Sequence, residues 1–187
     1  LDGLTPSLAF QNIAREKYNG SKYIMIRPHA RSFFYNTEHL KVMKESIKSA
    51  KNHGAEGVVF GALNDGKIDF KINEELLYTA HQLNLKCTFH KAIDSCNHVK
   101  QSLIELSEMG FDWVLTSGGK KNAELGIKNL IEMSHIPNRK IKILVGGGIS
   151  PINCQKFNNI GIDGLHFSID KNKIVEEKKI ELIMEKI

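Results

Sequence analysis

Along this chain, compact apolar runs alternate with stretches in which apolar residues recur every third or fourth position. The compact runs lie at 23–28, 58–60, 86–90, 113–116, 141–145 and 165–168, and their length and character predict six buried strands. The first is closed by Pro28, which has no N–H to give a central ladder. Between the runs, Leu40, Met43, Ile47 and Ala50 mark one face of a helix that starts at Asn36-Thr37-Glu38 and stops at Gly54. The same spacing predicts helices over 7–18, 73–83, 99–109, 123–133 and 174–187. Ser150-Pro151 supplies a cap and a first-turn proline for a short helix up to Asn158.

Three helix-to-strand joints repeat one phrase: Gly54-Ala55-Glu56-Gly57-Val58-Val59-Phe60-Gly61, Gly110-Phe111-Asp112-Trp113-Val114-Leu115-Thr116-Ser117 and Gly161-Ile162-Asp163-Gly164-Leu165-His166-Phe167-Ser168. Each opens with a glycine suited to the left-handed conformation that stops a helix, and an acidic residue two places on is expected to make the turn. The copies lie roughly 50–56 residues apart, about twice the 30 residues of a strand with its crossover helix. Six strands alternating with helices build a parallel sheet, either open and doubly wound or most of a barrel. Polar residues at the strand ends decide between them. Met25 with Arg27, Thr88 with His90, and His166 with Ser168 each share a face. An open sheet covers both faces with helices, where such a polar file is hard to satisfy, whereas a barrel turns it toward its mouth. The expected fold is an α/β (β/α)8 TIM-type barrel, with about six of the eight βα units present in one domain over residues 1–187.

A length of 187 residues, 41% hydrophobic and 25% charged, is ordinary for one globular domain. The net charge of +5 is spread along helix faces, as at Lys41, Lys44, Lys48 and Lys51, so no nucleic-acid partner is expected. No apolar stretch approaches the 18 residues of a membrane span, so no membrane partner is expected either. The start, Leu1-Asp2-Gly3-Leu4-Thr5-Pro6, has neither the basic residues nor the apolar run of a signal peptide, and the absence of an initial Met suggests further residues upstream. Cys87, Cys96 and Cys154 form no CxxC spacing, which argues against a disulfide framework or structural zinc and for a cytoplasmic, reducing location.

A closed barrel brings the strand ends to one mouth. The candidates there are Arg27, Thr88, His90, Asp94, Thr116, Ser117, Gly118, Gly119, Gly146, Gly147, Gly148, His166 and Ser168. Thr116-Ser117-Gly118-Gly119 and Gly146-Gly147-Gly148 are turns that either offer backbone N–H groups to an anion or simply allow a tight bend. Arg27 needs an anionic partner, either a ligand or a carboxylate on a strand outside this chain. His90 is the acid–base candidate, with Asp94 four residues on to orient it, or it is a satisfied histidine of the barrel wall; His166 has the same two readings. Lys91 follows the inward His90 and is expected to point away. His39, His53, His81, His98 and His135 fall on helices or their ends and read as solvated surface. Cys87 and His90 lie an odd number of positions apart and so face opposite sides, while Cys96 lies close enough to the mouth to turn toward it. Spacing alone assigns no metal ligand.

Taken together, Gly3-Leu4-Thr5-Pro6-Ser7, Met25-Ile26-Arg27-Pro28, Gly57-Val58-Val59-Phe60-Gly61, Thr88-Phe89-His90-Lys91-Ala92-Ile93-Asp94, Leu115-Thr116-Ser117-Gly118-Gly119 and Gly146-Gly147-Gly148-Ile149 resemble the CutC family of copper-homeostasis proteins, in order and spacing. The resemblance covers nearly the whole chain. It implies a TIM-type barrel, a cytoplasmic location, a homo-oligomer such as a dimer, and copper as the bound ion. The chain departs from the family in lacking two strands before Gly3, which carry cysteines and an acidic residue. It also has His29-Ala30-Arg31-Ser32 where a basic, glycine-rich loop with an acid is expected, Lys91 in place of an arginine, and a shorter stretch after Ser168. Two functions follow as expectations: a copper-binding homeostasis protein, or a barrel enzyme acting on a small anionic or phosphorylated metabolite held by Arg27 and the glycine turns.

Overall fold

Six parallel strands lie side by side in chain order, so neighbours in sequence are neighbours in space. They are β1 (Tyr23–Met25), β2 (Gly57–Phe60), β3 (Lys86–Phe89), β4 (Trp113–Thr116), β5 (Lys142–Gly146) and β6 (Gly164–His166). The helices are α1 (Leu8–Lys17), α2 (Thr37–Asn52), α3 (Phe70–Gln82), α4 (Val99–Met109), α5 (Ala123–Ser134) and α6 (Glu177–Met184). This computed structural model describes residues 3–168, 170–171, 174–175 and 177–187.

An order that never reverses, with crossovers of one hand, places the helices on one side of the sheet. The two faces differ accordingly. Val58, Phe60, Cys87, Phe89, Val114, Ile143 and Val145 are fully buried in the core under the helices. The alternate residues Tyr23, Met25, Val59, Thr88, Trp113, Leu115, Leu144 and His166 line a hollow of about 470 Å³ on the concave side. The sheet is therefore a half-barrel. Among the described residues its outer strands, β1 and β6, each pair on one side only.

The local reasons are visible at the joints. Asn36 caps α2 through His39 N–H (2.9 Å), and the His39 ring accepts from Asn36 N–H in return, with histidine standing where a capping box usually has glutamate. The glycines that open the repeated phrase, Gly54, Gly110 and Gly161, all have positive φ (79°, 95° and 80°). The acidic residue of the phrase does more than turn the chain. Asp112 accepts the Cys87 N–H (2.8 Å) and Asp163 accepts the Ile143 N–H (2.8 Å), so each carboxylate ties its strand to the one before.

Three segments differ from expectation. A two-stranded hairpin, Leu63–Asn64 with Lys67–Ile68, turns through Asp65-Gly66 where no element was predicted. Residues 150–158 form a turn and the short 3-10 helix Cys154–Phe157, because the buried Asn153 side chain accepts from Ser150 N–H and donates to the Gly148 carbonyl (both 2.8 Å). At the C-terminus, Ile174–Val175 pairs with Asp170–Lys171, and the helix begins at Glu177; residue 176 of the predicted helix lies outside the described residues. Among the described residues no helix is long and apolar enough to cross a membrane.

Candidate functional site

The C-terminal ends of the strands carry two polar clusters, and the end of β3 contributes to both. His90 caps the 3-10 helix Lys91–Ser95, with Nδ1 accepting from Ala92 N–H at 3.2 Å. That bond leaves the ring proton on Nε2, which is buried and has no hydrogen-bond partner among the described residues. Burial pushes the His90 pKa down to about 4, so the ring is neutral at physiological pH. Gly61 makes room for it, since a Cβ there would stand 2.9 Å from Nδ1.

Asp94 does not orient His90. Its carboxylate accepts from Thr116 Oγ1 (2.6 Å), Ser117 N (3.0 Å), Gly119 N (2.8 Å) and Lys91 Nζ (2.6 Å), with Ser117 Oγ at 2.9 Å. The turn Ser117-Gly118-Gly119 is thus a cradle of N–H groups facing an anion, and the anion is this chain's own carboxylate. Thr116 alternates with Trp113 and Leu115, so its hydroxyl lies on the Asp94 side, away from the hollow. Thr88 and His166 do line the hollow.

Lys91 reaches toward the mouth and does not point away, because strand alternation ends where the 3-10 turn begins. Its ammonium meets Ser117 Oγ (2.6 Å) as well as Asp94 and stands 3.2 Å from where a Cβ on Gly147 would be. Gly147 and Gly148 have φ of 102° and 83°, a pair of left-handed residues that only glycine adopts readily. The Gly147 carbonyl accepts from Ala123 N–H at the start of α5 (2.9 Å). A Cβ on Gly146 would meet Leu115 at 2.7 Å and His166 at 3.4 Å. Desolvation and then the charge of Lys91 hold the His166 pKa below its ordinary value. Ser168 is exposed beyond β6, where its carbonyl accepts from Lys179.

The second cluster surrounds Arg27. Its backbone N–H donates to Thr5 Oγ1 (2.8 Å), and its guanidinium donates to the Ala30 carbonyl (3.1 Å) and stacks 4.8 Å from the Phe33 ring. Phe33 in turn lies 4.9 Å from the His90 ring. Tyr35, 2% exposed, and His29 pack together at 5.2 Å, and His39 stands 4.5 Å from His29. His39 is therefore half-buried in this cluster and is not free surface. Sequence reasoning missed Phe33, Tyr35 and His29, because their loop carries no periodicity to place them.

The thiols do not gather. Cys87 and Cys154 are fully buried, and Cys96 is half-buried at 4.0 Å from the Ala92 carbonyl. Burial pushes the Cys87 thiol up to about 12, far from the thiolate that binds soft metals. Among the described residues no group of three or more His, Cys, Asp or Glu side chains is placed to hold a metal. These residues do not fit copper coordination.

Residues 1–171 match the CutC family. A CutC family protein of Aliivibrio fischeri (strain MJ11) is 35% identical over 187 residues, covering 99% of this chain and 74% of that protein. The crystal structure of a CutC protein from Streptococcus agalactiae, named for copper homeostasis, aligns with a TM-score of 0.80 at 29% identity, over 87% of this chain and 81% of that one. A 3-hexulose-6-phosphate synthase from Salmonella typhimurium shares the fold, with a TM-score of 0.64 at 18% identity, over 96% of this chain and 80% of that one.

Proposed function

This chain belongs to the CutC family, and from that premise we propose that it serves copper homeostasis by binding a small anionic ligand at the mouth of its half-barrel. A cytoplasmic location and self-association belong to the same proposal. In that role copper is the cargo and not a resident cofactor, because the cysteines described above offer it no shared site. The supporting observation is that Arg27 and the neutral His90 meet on one ring, Phe33, at the strand ends. A fixed positive charge beside a neutral imidazole N–H suits an oxyanion.

Two measurements test this. Phosphate or a phosphorylated metabolite at millimolar concentration should raise the melting temperature, and Arg27→Ala should abolish the rise. In competition with a Cu(I) chelator, Cys87→Ala and Cys154→Ala should leave copper retention unchanged. Loss of retention in either variant would assign copper to a buried thiol and overturn this division of roles.

An enzymatic reading draws on the same mouth. An imidazole with a pKa of about 4 is a weak base, but its N–H can polarise a carbonyl or an oxyanion without giving up a proton. His90 therefore suits the part of a hydrogen-bond donor better than that of a proton carrier. Asp94, whose oxygens are already occupied, positions Lys91 and the Ser117 turn.

A further inference from the structure

Among the described residues, buried polar side-chain atoms without a hydrogen-bond partner include Gln11 Oε1 in α1 and a group around Arg27. Around Arg27 these are His29 Nδ1 and His90 Nε2, together with Tyr35 Oη, which faces the Arg27 guanidinium, a donor that leaves the hydroxyl proton unused. Tyr35 is 2% exposed and His90 4%, so solvent does not satisfy them. All three border Arg27. Its charge bears on each of them, and the contacts run from Arg27 through Phe33 to His90 and from Tyr35 to His29. Leaving a buried donor without an acceptor is costly, and native proteins rarely do so without a reason.

The chemistry of these atoms is one-sided. The Tyr35 hydroxyl has a proton to donate, and His90 presents Nε2–H because Nδ1 already accepts from Ala92. His29 faces His39, Arg31 and Arg27, surroundings that favour a negative guest. We propose that Tyr35, His90 and His29 form with Arg27 a binding site for an oxyanion, the carboxylate or phosphate group of a small ligand. The loop of residues 30–34, with Ala30, Arg31, Ser32 and Phe34 exposed, is its way in. This site rests on the reading that an anion binds at the mouth, and to Arg27 and His90 it adds Tyr35 and His29, which sequence reasoning did not single out.

The test is a thermal-shift titration of the full chain with inorganic phosphate and, separately, with acetate. Whichever anion raises the melting temperature identifies the group. Tyr35→Phe removes one oxygen and keeps the ring, and it should weaken the apparent affinity about tenfold without lowering the melting temperature of the unliganded protein. His90→Gln provides a second reading of the same donor set. If Tyr35→Phe and His90→Gln both respond like wild type while Arg27→Ala does not, the anion reading stands and this assignment of atoms falls. If the wild type responds to neither anion, both fall.

Discussion

Asp94 shows how one residue sets its neighbours. Four donors converge on its carboxylate, with the Ser117 hydroxyl shared between it and the Lys120 carbonyl, and its side chain is 10% exposed. Asp94→Ala strands those donors at once, and breaking a largely buried charge cluster costs roughly 3–5 kcal/mol. For a chain of this size each kcal/mol is worth about 2–4 °C, so thermal melting should show a loss of about 6–20 °C. His90 makes a prediction in pH. Desolvation lowers its pKa in the folded state from 6.5 to about 4, so the unfolded chain takes up the proton first as pH falls. The stability this neutral ring confers is present above about pH 6.5 and is lost as pH drops toward 4, by roughly 3 kcal/mol in all. Melting curves between pH 7 and 4.5 should therefore fall less steeply for His90→Gln than for wild type, and parallel curves would rule the account out. His90 was legible in the sequence because strand alternation reaches it. Lys91 was not, since the chain leaves the strand at that residue, and Tyr35 has no periodic neighbours to place it.

Elements were legible where capping, periodicity and glycine stops agree. Val99–Met109 and Trp113–Thr116 fall where the spacing puts them, bounded by Gly110 at φ 95°. The hairpin at Leu63–Ile68 was missed although Asp65-Gly66 is a hairpin turn signal, because each of its strands is only two residues long and too short to show alternation. The predicted helix over 150–158 gave way to side-chain hydrogen bonds from Asn153, an outcome that periodicity does not register. One contact between elements was equally invisible. Gly126 lies in the first half of α5, and a Cβ there would stand 1.8 Å from the Ser117 carbonyl and 3.2 Å from Gly118 Cα. Helix α5 therefore seats directly on the turn that cradles Asp94, at a distance only glycine permits. Gly126→Ala, which elsewhere would favour a helix, should destabilise this one by about 3 kcal/mol or more and lower the melting temperature accordingly.

At the scale of the whole molecule, the polar file at the strand ends separated a barrel from a doubly wound sheet, and the chain-order sheet agrees with that choice. What faces the concave side was beyond the reach of pattern, because alternation says which residues turn inward but not what meets them. Adjacent residues of β5 can measure this. Ile143 is fully buried under the helices, whereas Leu144 lines the hollow and is half-buried. Ile143→Asp places an unpaired charge in the core, at a cost of about 3–5 kcal/mol that should abolish cooperative melting. Leu144→Asp keeps its carboxylate in water if the hollow is open, and should cost about 1 kcal/mol or less. Trp113, the single tryptophan, lines the same hollow, so its fluorescence should be quenched by iodide in wild type. If Leu144→Asp instead unfolds the protein as readily as Ile143→Asp, and iodide leaves Trp113 untouched, the concave face is covered in solution. A second copy of the chain is then the first occupant to look for, by comparing the molar mass of wild type and Leu144→Asp.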